Sequence, residues 1–270
     1  MNRLADRVVL VTGSTGIAAA AAVRLSGEGA SLFVTSRTED HARTLAERLV
    51  ASGAAAGWRS ADLADEGQVG DVVEACLERF GRIDGLLAVA GGSGRRFGDG
   101  PIHAVGGDAW DATLALNLRT QALVSGAVVR AMRTQEPNSA GSRGSIVLIG
   151  SVTATDPAPQ HFATHAYAAA KGATIALMRS MAATYARDRI RVNVVAPSLT
   201  DTPMAGRAAG DPEIRAFVAG RQPLAGDLMD PAEVAHAVVY FLSDESRAVT
   251  GQLLKVDGGW SVTPYGGPVA

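Results

Sequence analysis

Short apolar runs rich in β-branched residues recur along the 270-residue chain, and each is followed by a longer amphipathic segment. Within a run, consecutive positions are apolar instead of alternating with polar ones. That pattern is typical of parallel strands that helices cover on both faces. It predicts clear strands at 7–12, 31–36, 84–90, 145–151 and 190–196, and weaker strands near 57–61 and 253–256.

Helical periodicity fills the intervals between the predicted strands. Thr38 before Glu39 and Asp40, and Pro231 in a first turn, are typical helix starts. The predicted helices span 17–28, 39–52, 65–80, 108–133, 165–188 and 231–243. Strand and helix therefore alternate throughout, which predicts an α/β fold with one Rossmann-like, doubly wound parallel sheet of about seven strands. We expect residues 1–270 to form a single domain.

Two irregular stretches, 91–107 and 197–230, interrupt this alternation. The first is glycine-rich and contains Arg95 and Arg96, and the second is expected to contain a short helix and to form the substrate loop. Each follows a strand, so both are expected at the carboxyl edge of the sheet, where such folds bind ligands. For the two arginines, contact with an anionic substrate and a solvated surface pair both stay open.

Composition and charge narrow the function classes. The net charge of −2 provides no basic surface for nucleic acid or an anionic membrane, so neither is a predicted partner. The sequence has no run of 18 apolar residues, and its first residues lack the layout of a signal peptide, so we expect a cytoplasmic protein. Cys76 is the only cysteine, and His161 and His165 have no acid between them, so no metal site is predicted.

The segment VTGSTGIAAA, residues 11–20, leads from a predicted strand into a predicted helix. Glycines at such a turn permit positive φ and let a pyrophosphate approach the helix N-terminus closely. Taken alone, the turn is explained equally well as an ordinary strand–helix connection. The next strand ends in Ser36 and Arg37 with no acid at its tip, which favours NADP(H) over NAD(H), although Arg37 also fits a plain surface arginine.

The segment YAAAK, from Tyr167 to Lys171, is the sharpest chemical feature. Positions four apart on a helix share a face, so the phenol and the ammonium are expected in one cleft. The cation is expected to lower the pKa of the tyrosine and make it an acid or base near neutrality. Ser151 ends the preceding strand, where its hydroxyl is expected beside a substrate oxygen. Asn117 lies among apolar residues of a helix, and a satisfied core amide is the alternative to a functional role.

Together these elements resemble the short-chain dehydrogenase/reductase family over nearly the whole chain. The resemblance implies that Tyr167 exchanges a proton with the substrate oxygen, while Lys171 lowers the tyrosine pKa and bonds the nicotinamide ribose. It also implies that Ser151 orients the carbonyl and that Asn117 holds a water of a proton relay. The motifs that carry the resemblance are Thr12-Gly13 with Gly16, Arg37, ADL at 61–63, Asn117, Ser151, Tyr167, Lys171, RVNVVAP at 191–197, TPM at 202–204 and TGQLLKVDGGW at 250–260.

The resemblance further implies an NADP(H)-dependent oxidoreductase that acts on a small ketone or secondary alcohol. It implies a homotetramer, formed partly through the helices at 108–133 and 165–188. Asp62 and Leu63 are expected to border the adenine, and Thr200 and Thr202 to face the nicotinamide amide or the phosphates. The full set of implied cofactor-binding residues is Gly13, Ser14, Thr15, Gly16, Ile17, Ser36, Arg37, Asp62, Leu63, Ala90, Gly91, Tyr167, Lys171, Pro197, Thr200 and Thr202.

The chain departs from the family pattern around the expected cofactor site. Only two residues separate Gly13 from Gly16, where the family has three, and Ala18 stands at the third glycine. Residues 88–91 read AVAG, where amides that brace the sheet are usual, and Ser198 replaces a loop glycine. These departures keep open a second hypothesis, a non-catalytic sensor or scaffold with weakened cofactor binding. A third is a non-redox carbonyl enzyme, such as a dehydratase or epimerase, that uses the same Tyr–Lys pair.

Overall fold

The computed structural model describes residues 2–263. Its strands are β1 (Val8–Thr12), β2 (Ser31–Ser36), β3 (Ala56–Ser60), β4 (Gly85–Ala88), β5 (Gly144–Ile149), β6 (Ile190–Pro197) and β7 (Leu253–Val256). Neighbouring strands are parallel throughout, in the spatial order β3-β2-β1-β4-β5-β6-β7. The predicted doubly wound sheet is therefore confirmed, and the strand ends lie within two residues of their predicted positions.

Helices pack on both faces of the sheet. They are α1 (Ile17–Gly27), α2 (Glu39–Ala51), α3 (Glu66–Phe80), α4 (Gly107–Leu114), α5 (Thr120–Thr134), α6 (Pro159–Phe162), α7 (His165–Tyr185), α8 (Gly206–Ala209), α9 (Pro212–Arg221) and α10 (Pro231–Leu242). A π-helical turn at Ala115–Arg119 joins α4 to α5, so the helix predicted at 108–133 contains one inserted residue. Such insertions are frequent at functional sites.

The irregular stretches contain more helix than the sequence predicts. The 197–230 stretch holds a 3₁₀ turn at Pro203–Ala205 followed by α8 and α9, where the sequence predicts one short helix. Outside these two stretches, the four-residue helix α6 lies in the segment that separates Ser151 from Tyr167. No sequence pattern predicts α6, because four residues are too few for helical periodicity to show.

The sheet separates two hydrophobic cores. Leu10 and Leu86, on adjacent strands, face α3, α5 and α7, whereas their neighbours Val11 and Leu87 face α1 and α10. All four side chains are fully buried, and each such burial stabilises the fold by roughly 1.5–3 kcal/mol. Burial on both faces is the reason why these strands are apolar at every position.

A third, smaller cluster lies at the carboxyl edge of the sheet. Trp260 is 1% exposed, and its ring centroid lies 5.9 Å from the ring centroids of Phe162 and Phe217. Phe162 belongs to α6 and Phe217 to α9, so the cluster attaches the 197–230 stretch to the segment before α7. This packing gives the carboxyl edge a fixed wall.

The strand order also places the binding crevice. The chain winds outward from β1 through β2 to β3, then crosses back to β4 on the other side of β1. At such a reversal the loops that follow the two central strands diverge and leave a crevice at their carboxyl ends. None of the helices formed by residues 2–263 combines the length and apolar character needed to cross a bilayer.

Candidate active site

A cavity of about 640 Å³ lies at the carboxyl ends of β1, β4, β5 and β6. This volume is within the roughly 300–1,000 Å³ that is typical of small-molecule sites. The loops that follow all four strands contribute to its wall. The cavity brings together the four predicted catalytic residues, Asn117, Ser151, Tyr167 and Lys171.

Tyr167 and Lys171 occupy successive turns of α7 and both line the cavity. The Lys171 Nζ atom lies 5.6 Å from the centroid of the Tyr167 ring. The same nitrogen donates a hydrogen bond of 2.8 Å to the carbonyl oxygen of Ile149, at the end of β5. Lys171 is only 3% exposed, so this bond to the strand fixes where its positive charge lies.

Ser151 follows β5 by two residues, which places its hydroxyl at the edge of the sheet. Its Oγ atom accepts a hydrogen bond of 3.2 Å from the Thr153 backbone N–H and lies 2.8 Å from the Thr153 hydroxyl oxygen. The Ser151 hydroxyl also interacts with the Tyr167 phenol and favours its ionised form, which lowers the pKa of the tyrosine. The hydroxyl groups of Ser151 and Tyr167 therefore lie at one side of the cavity, where both are available to a carbonyl oxygen.

Burial sets the protonation states of the Tyr167–Lys171 pair. Removal of solvent from Tyr167 raises its pKa to about 12, and the interaction with the Ser151 hydroxyl offsets this rise only in part. Burial also lowers the pKa of Lys171 to about 8. The expected lowering of the tyrosine pKa is thus wrong for this structure, because desolvation of the phenol outweighs the nearby cation. At neutral pH the pair consists of a protonated phenol and a mostly protonated amine.

Asp99 anchors the helix that carries this pair, and sequence reasoning missed it. Its carboxylate is 5% exposed and accepts hydrogen bonds from the backbone N–H groups of Ala166, at 3.0 Å, and Tyr167, at 2.9 Å. The N-cap residue of α7, Thr164, makes no capping bond with its own side chain. Asp99 therefore satisfies first-turn donors of α7 from a distant loop, and its negative charge lies at the positive end of the helix dipole.

A weak sequence signal for Asp99 existed. The first turn of α7 contains no acidic residue, although acids are favoured there. Thr164 is a residue type that usually caps helices, so the sequence alone favours a local cap. The approach of the Asp99 loop to this helix start is visible only in the structure.

Asn117 lies at the π-helical turn and is fully buried. Its Oδ1 atom accepts a hydrogen bond from the Gly92 N–H, and its Nδ2 atom donates to the carbonyl oxygens of Gly92 and Thr113, each at 3.0 Å. A Cβ atom on Gly91 would lie 2.7 Å from Oδ1, so the loop passes this amide only because residue 91 is glycine. Asn117 thus holds the loop after β4 in place, and one lone pair of Oδ1 stays available for a water.

The shortened glycine turn leaves room for a ligand at the start of α1. Thr15, Gly16 and Ile17 line the cavity, so the turn does not close over it. Gly16 has a φ of 54°, and a Cβ atom there would lie 2.8 Å from the Thr202 Cγ2 atom. No side chain caps α1; the Ala18 N–H bonds the Thr15 carbonyl oxygen at 3.2 Å, and the neighbouring first-turn N–H groups remain for an anion such as a phosphate. These features fit a dinucleotide phosphate.

Ala18, at the position of the third glycine, packs tightly beside the turn. It is 1% exposed, and its Cβ atom lies 3.2 Å from where a Cβ atom of Gly13 would be. A methyl group is therefore accommodated between the turn and the helix only because Gly13 lacks one.

At the end of β1, the Thr12 hydroxyl does the bracing that amides in the 88–91 segment usually do. Its hydroxyl oxygen accepts hydrogen bonds of 3.0 Å from the backbone N–H groups of both Val89 and Ala90. These bonds tie the loop after β4 to β1 at the crevice. The lack of asparagines in the AVAG segment therefore does not leave this part of the sheet unbraced.

The residues expected near the adenosine lie outside the walls of the cavity. Ser36 ends β2, and Arg37 beside it is exposed and forms no ion pair with any residue in 2–263. The Asp62 carboxylate accepts a hydrogen bond of 3.0 Å from the Ala64 N–H, and Leu63 is 4% exposed. The Arg37 guanidinium lies just after β2 and has no ion-pair partner among the described residues, so it fits the 2′-phosphate of NADP(H). Ser14 and Ala90 also lie outside the cavity walls.

The loop after β6 supplies the opposite wall through Pro197, Ser198, Thr200 and Thr202. The Thr200 hydroxyl donates a hydrogen bond of 3.1 Å to the Ser198 carbonyl oxygen. The buried Ser198 Oγ atom has no hydrogen-bond partner within residues 2–263. A buried hydroxyl without a partner costs stability, so it marks a place where a polar ligand atom fits.

The two histidines close to Tyr167 in sequence have supporting roles. His165 accepts a hydrogen bond of 2.9 Å through Nδ1 from the Ile102 N–H, which fixes the 91–107 stretch to the start of α7. The His161 ring lies 4.9 Å from the Phe217 ring, between centroids. Within residues 2–263, no three His, Cys, Asp or Glu side chains are placed to hold a metal ion.

Known proteins with similar sequences or structures are reductases and dehydrogenases. A family model described as "Enoyl-(Acyl carrier protein) reductase" matches residues 11–261. The cis-4-hydroxycyclohexanecarboxylate dehydrogenase of Sinomonas cyclohexanicum is 35% identical, over 95% of this chain and 97% of its own. The 2-(S)-hydroxypropyl-CoM dehydrogenase 3 of Xanthobacter autotrophicus is 33% identical, over 96% of this chain and 98% of its own. A gluconate 5-dehydrogenase from Burkholderia cenocepacia, whose crystal structure was solved in complex with NADP and tartrate, is 32% identical in sequence. The two structures superpose with a TM-score of 0.88, over 97% of this chain and 98% of the other.

Proposed function

From the premise that the chain belongs to the short-chain dehydrogenase/reductase family, we propose that it interconverts a ketone and a secondary alcohol with NADP(H), using Tyr167 as acid and base. Its relatives are secondary alcohol and ketone dehydrogenases, so the chain is a hydride-transfer oxidoreductase. One observation carries the proposal: a single cavity beside the N-terminus of α1 is lined by Tyr167, Lys171 and Ser151.

The nicotinamide, when bound, supplies or accepts the hydride. Gly13, Ser14, Thr15, Gly16 and Ile17 would hold the phosphates at the start of α1. Ser36, Arg37, Asp62 and Leu63 would surround the adenosine, and Ala90, Gly91, Pro197, Thr200 and Thr202 would border the nicotinamide half. The cradle at Gly16 and the partnerless hydroxyl of Ser198 support this arrangement.

The side chains divide the proton chemistry among them. In the direction of reduction, the Tyr167 phenol is protonated at neutral pH and gives its proton to the carbonyl oxygen, which Ser151 orients. The Lys171 ammonium, held by the Ile149 carbonyl, stabilises the phenolate that remains. Asn117 fixes the loop beside them, and the free lone pair of its Oδ1 would take the water that replenishes the proton.

Replacing Lys171 by methionine is expected to shift the pH profile of alcohol oxidation to higher pH. In this direction Tyr167 must accept a proton, so kcat rises with pH as the phenolate forms. Below pH about 8 the native Lys171 carries its charge and stabilises the phenolate, so the variant is expected to lose about tenfold or more of kcat there. Above pH about 8 the native amine becomes neutral, so the difference in kcat between the two proteins is expected to shrink. Identical profiles between pH 6 and 10 would contradict this role for Lys171.

Replacing Arg37 by alanine is expected to lower the preference for NADPH over NADH by about tenfold or more, because the guanidinium pairs with the 2′-phosphate. The ratio of kcat/KM with the two reduced cofactors measures the preference. The variant Arg48→Ala, on α2, removes an equal charge and is the matched control. Equal efficiencies with both cofactors in the native protein would remove the argument from Arg37.

Titration calorimetry with NADPH and NADP⁺ separates this proposal from the non-catalytic hypothesis. Micromolar binding supports the oxidoreductase, and no binding supports a sensor or scaffold. A change of nicotinamide absorbance during turnover would argue against a dehydratase or epimerase. A suitable carbonyl panel includes 4-oxocyclohexanecarboxylate and its methyl ester, since one relative is named for the corresponding hydroxy acid. The homotetramer, formed partly through the 108–133 helices (α4 and α5) and α7, stays a prediction.

A further inference from the structure

Two arginines converge at the outer wall of the cavity. Arg95 lies in the 3₁₀ turn Gly94–Phe97 and Arg207 in α8, and both line the cavity. Each donates a hydrogen bond of 3.0 Å from its Nη2 atom to the carbonyl oxygen of His161. Because both nitrogens bind one oxygen, they lie no more than two hydrogen-bond lengths apart. Two like charges are thus held together by one neutral acceptor.

Neither charge of this pair forms an ion pair with a described carboxylate. Within residues 2–263, no carboxylate oxygen lies within 4.0 Å of a guanidinium nitrogen of Arg95 or Arg207. Each guanidinium has five N–H donors, and its bond to His161 occupies only one of its nitrogens. Burial and the charge of Arg207 both lower the pKa of Arg95, and the more distant Asp99 carboxylate offsets this lowering only in part. Such repulsion is relieved when an anion occupies the space that the two side chains share.

Apolar side chains near Arg95 and Arg207 indicate what kind of ligand would bring its anionic group to the arginines. Phe162, Leu199 and Met204 line the cavity, and the Arg207 guanidinium lies 5.8 Å above the centroid of the Phe162 ring. Apolar and aromatic side chains therefore form part of the wall that the arginines share. The phosphate cradle at Gly16 belongs to a different wall, formed by the turn after β1. An anion at the arginines is thus better explained by a substrate than by the cofactor.

We propose that Arg95 and Arg207 bind the carboxylate of an anionic substrate whose apolar body places its carbonyl or alcohol carbon at Tyr167. This inference rests on the proposed function and adds the substrate class, namely oxo or hydroxy acids. Arg96 is not part of the pair, because its guanidinium packs 4.5 Å from the centroid of the Phe97 ring. Since Arg95 and Arg207 belong to the loops after β4 and β6, one bound carboxylate links both loops.

Binding of an unreactive probe tests this inference without turnover. Cyclohexanecarboxylate and the neutral, similarly shaped cyclohexanecarboxamide are titrated calorimetrically into the full chain, with and without NADP⁺. The carboxylate is expected to bind at least about tenfold more tightly than the amide, and less tightly as salt is added. Arg95→Met and Arg207→Met are each expected to weaken carboxylate binding by roughly 10- to 100-fold, with amide and NADPH binding unchanged.

The control variant is Arg187→Met, which removes the same charge from an exposed position outside the cavity and is expected to bind like the native protein. Carboxylate binding no tighter than amide binding, including no binding of either probe, would overturn the inference. So would variants that weaken NADPH binding instead, because the arginines would then serve the cofactor. Normal turnover by Tyr167→Phe would overturn the proposed function while leaving these titrations unaffected, so the two failures are distinguishable.

Discussion

The variant Tyr167→Phe is expected to reduce kcat for a responsive ketone by about 10²- to 10⁴-fold, the usual contribution of a positioned proton donor. The substitution removes the hydroxyl beside Ser151 and keeps the ring that forms the cavity wall. Because the pKa of Tyr167 is about 12, the native residue holds its proton at neutral pH and is ready to donate it. NADPH oxidation at saturating ketone measures kcat. NADPH affinity, measured by titration, is expected to stay within about twofold of the native value.

The matched control is Tyr185→Phe, which makes the same chemical change at the other end of α7 and outside the cavity. It is expected to keep the native kcat. Normal turnover by Tyr167→Phe would contradict the acid–base role. An equal loss in both variants would contradict it too, because the effect would then come from the helix and not from the position of one hydroxyl.

The fold was predictable because the signals that define it are local. Strands such as Val8–Thr12 are apolar at every position because both faces are buried, and the helices between them show their own periodicity. The pairing of Tyr167 with Lys171 was equally local, since it follows from four-residue spacing on one helix. The π-helical turn at Ala115–Arg119 was not predictable, because an inserted residue leaves the surrounding helical pattern intact.

The remainder of the site depends on how distant loops meet. Thr12 takes the place of two missing amides only because the loop after β4 returns to β1, and no spacing in the sequence shows this. The pKa of Tyr167 was predicted in the wrong direction, since its helix neighbour Lys171 is visible in sequence and the burial of the phenol is not. Local reasoning therefore identified the reacting groups but not the environment that sets their chemistry.

The variant Asp99→Asn is expected to lower kcat by about 10- to 100-fold with NADPH affinity unchanged. An amide offers one acceptor where the carboxylate offers two, so either Ala166 or Tyr167 loses the partner of its backbone N–H. The uncapped first turn of α7 then shifts, and misplacement of a reacting group by about 1 Å costs up to roughly 100-fold in rate. Loss of a buried hydrogen bond also destabilises the fold by about 1–3 kcal/mol, measured by urea unfolding.

Asp84→Asn is the matched control for Asp99→Asn, because Asp84 is 6% exposed and its carboxylate accepts a hydrogen bond of 3.0 Å from the Val8 N–H. Asp84 precedes β4 at the amino edge of the sheet, opposite the cavity, and also binds Arg82. Its variant is expected to lose comparable stability and to keep the native kcat per folded molecule. If Asp99→Asn lowered kcat no more than Asp84→Asn does, Asp99 would be a structural residue only. A selective fall in kcat, with little change in the KM for the ketone, would instead show that the loop carboxylate positions Tyr167 for proton transfer.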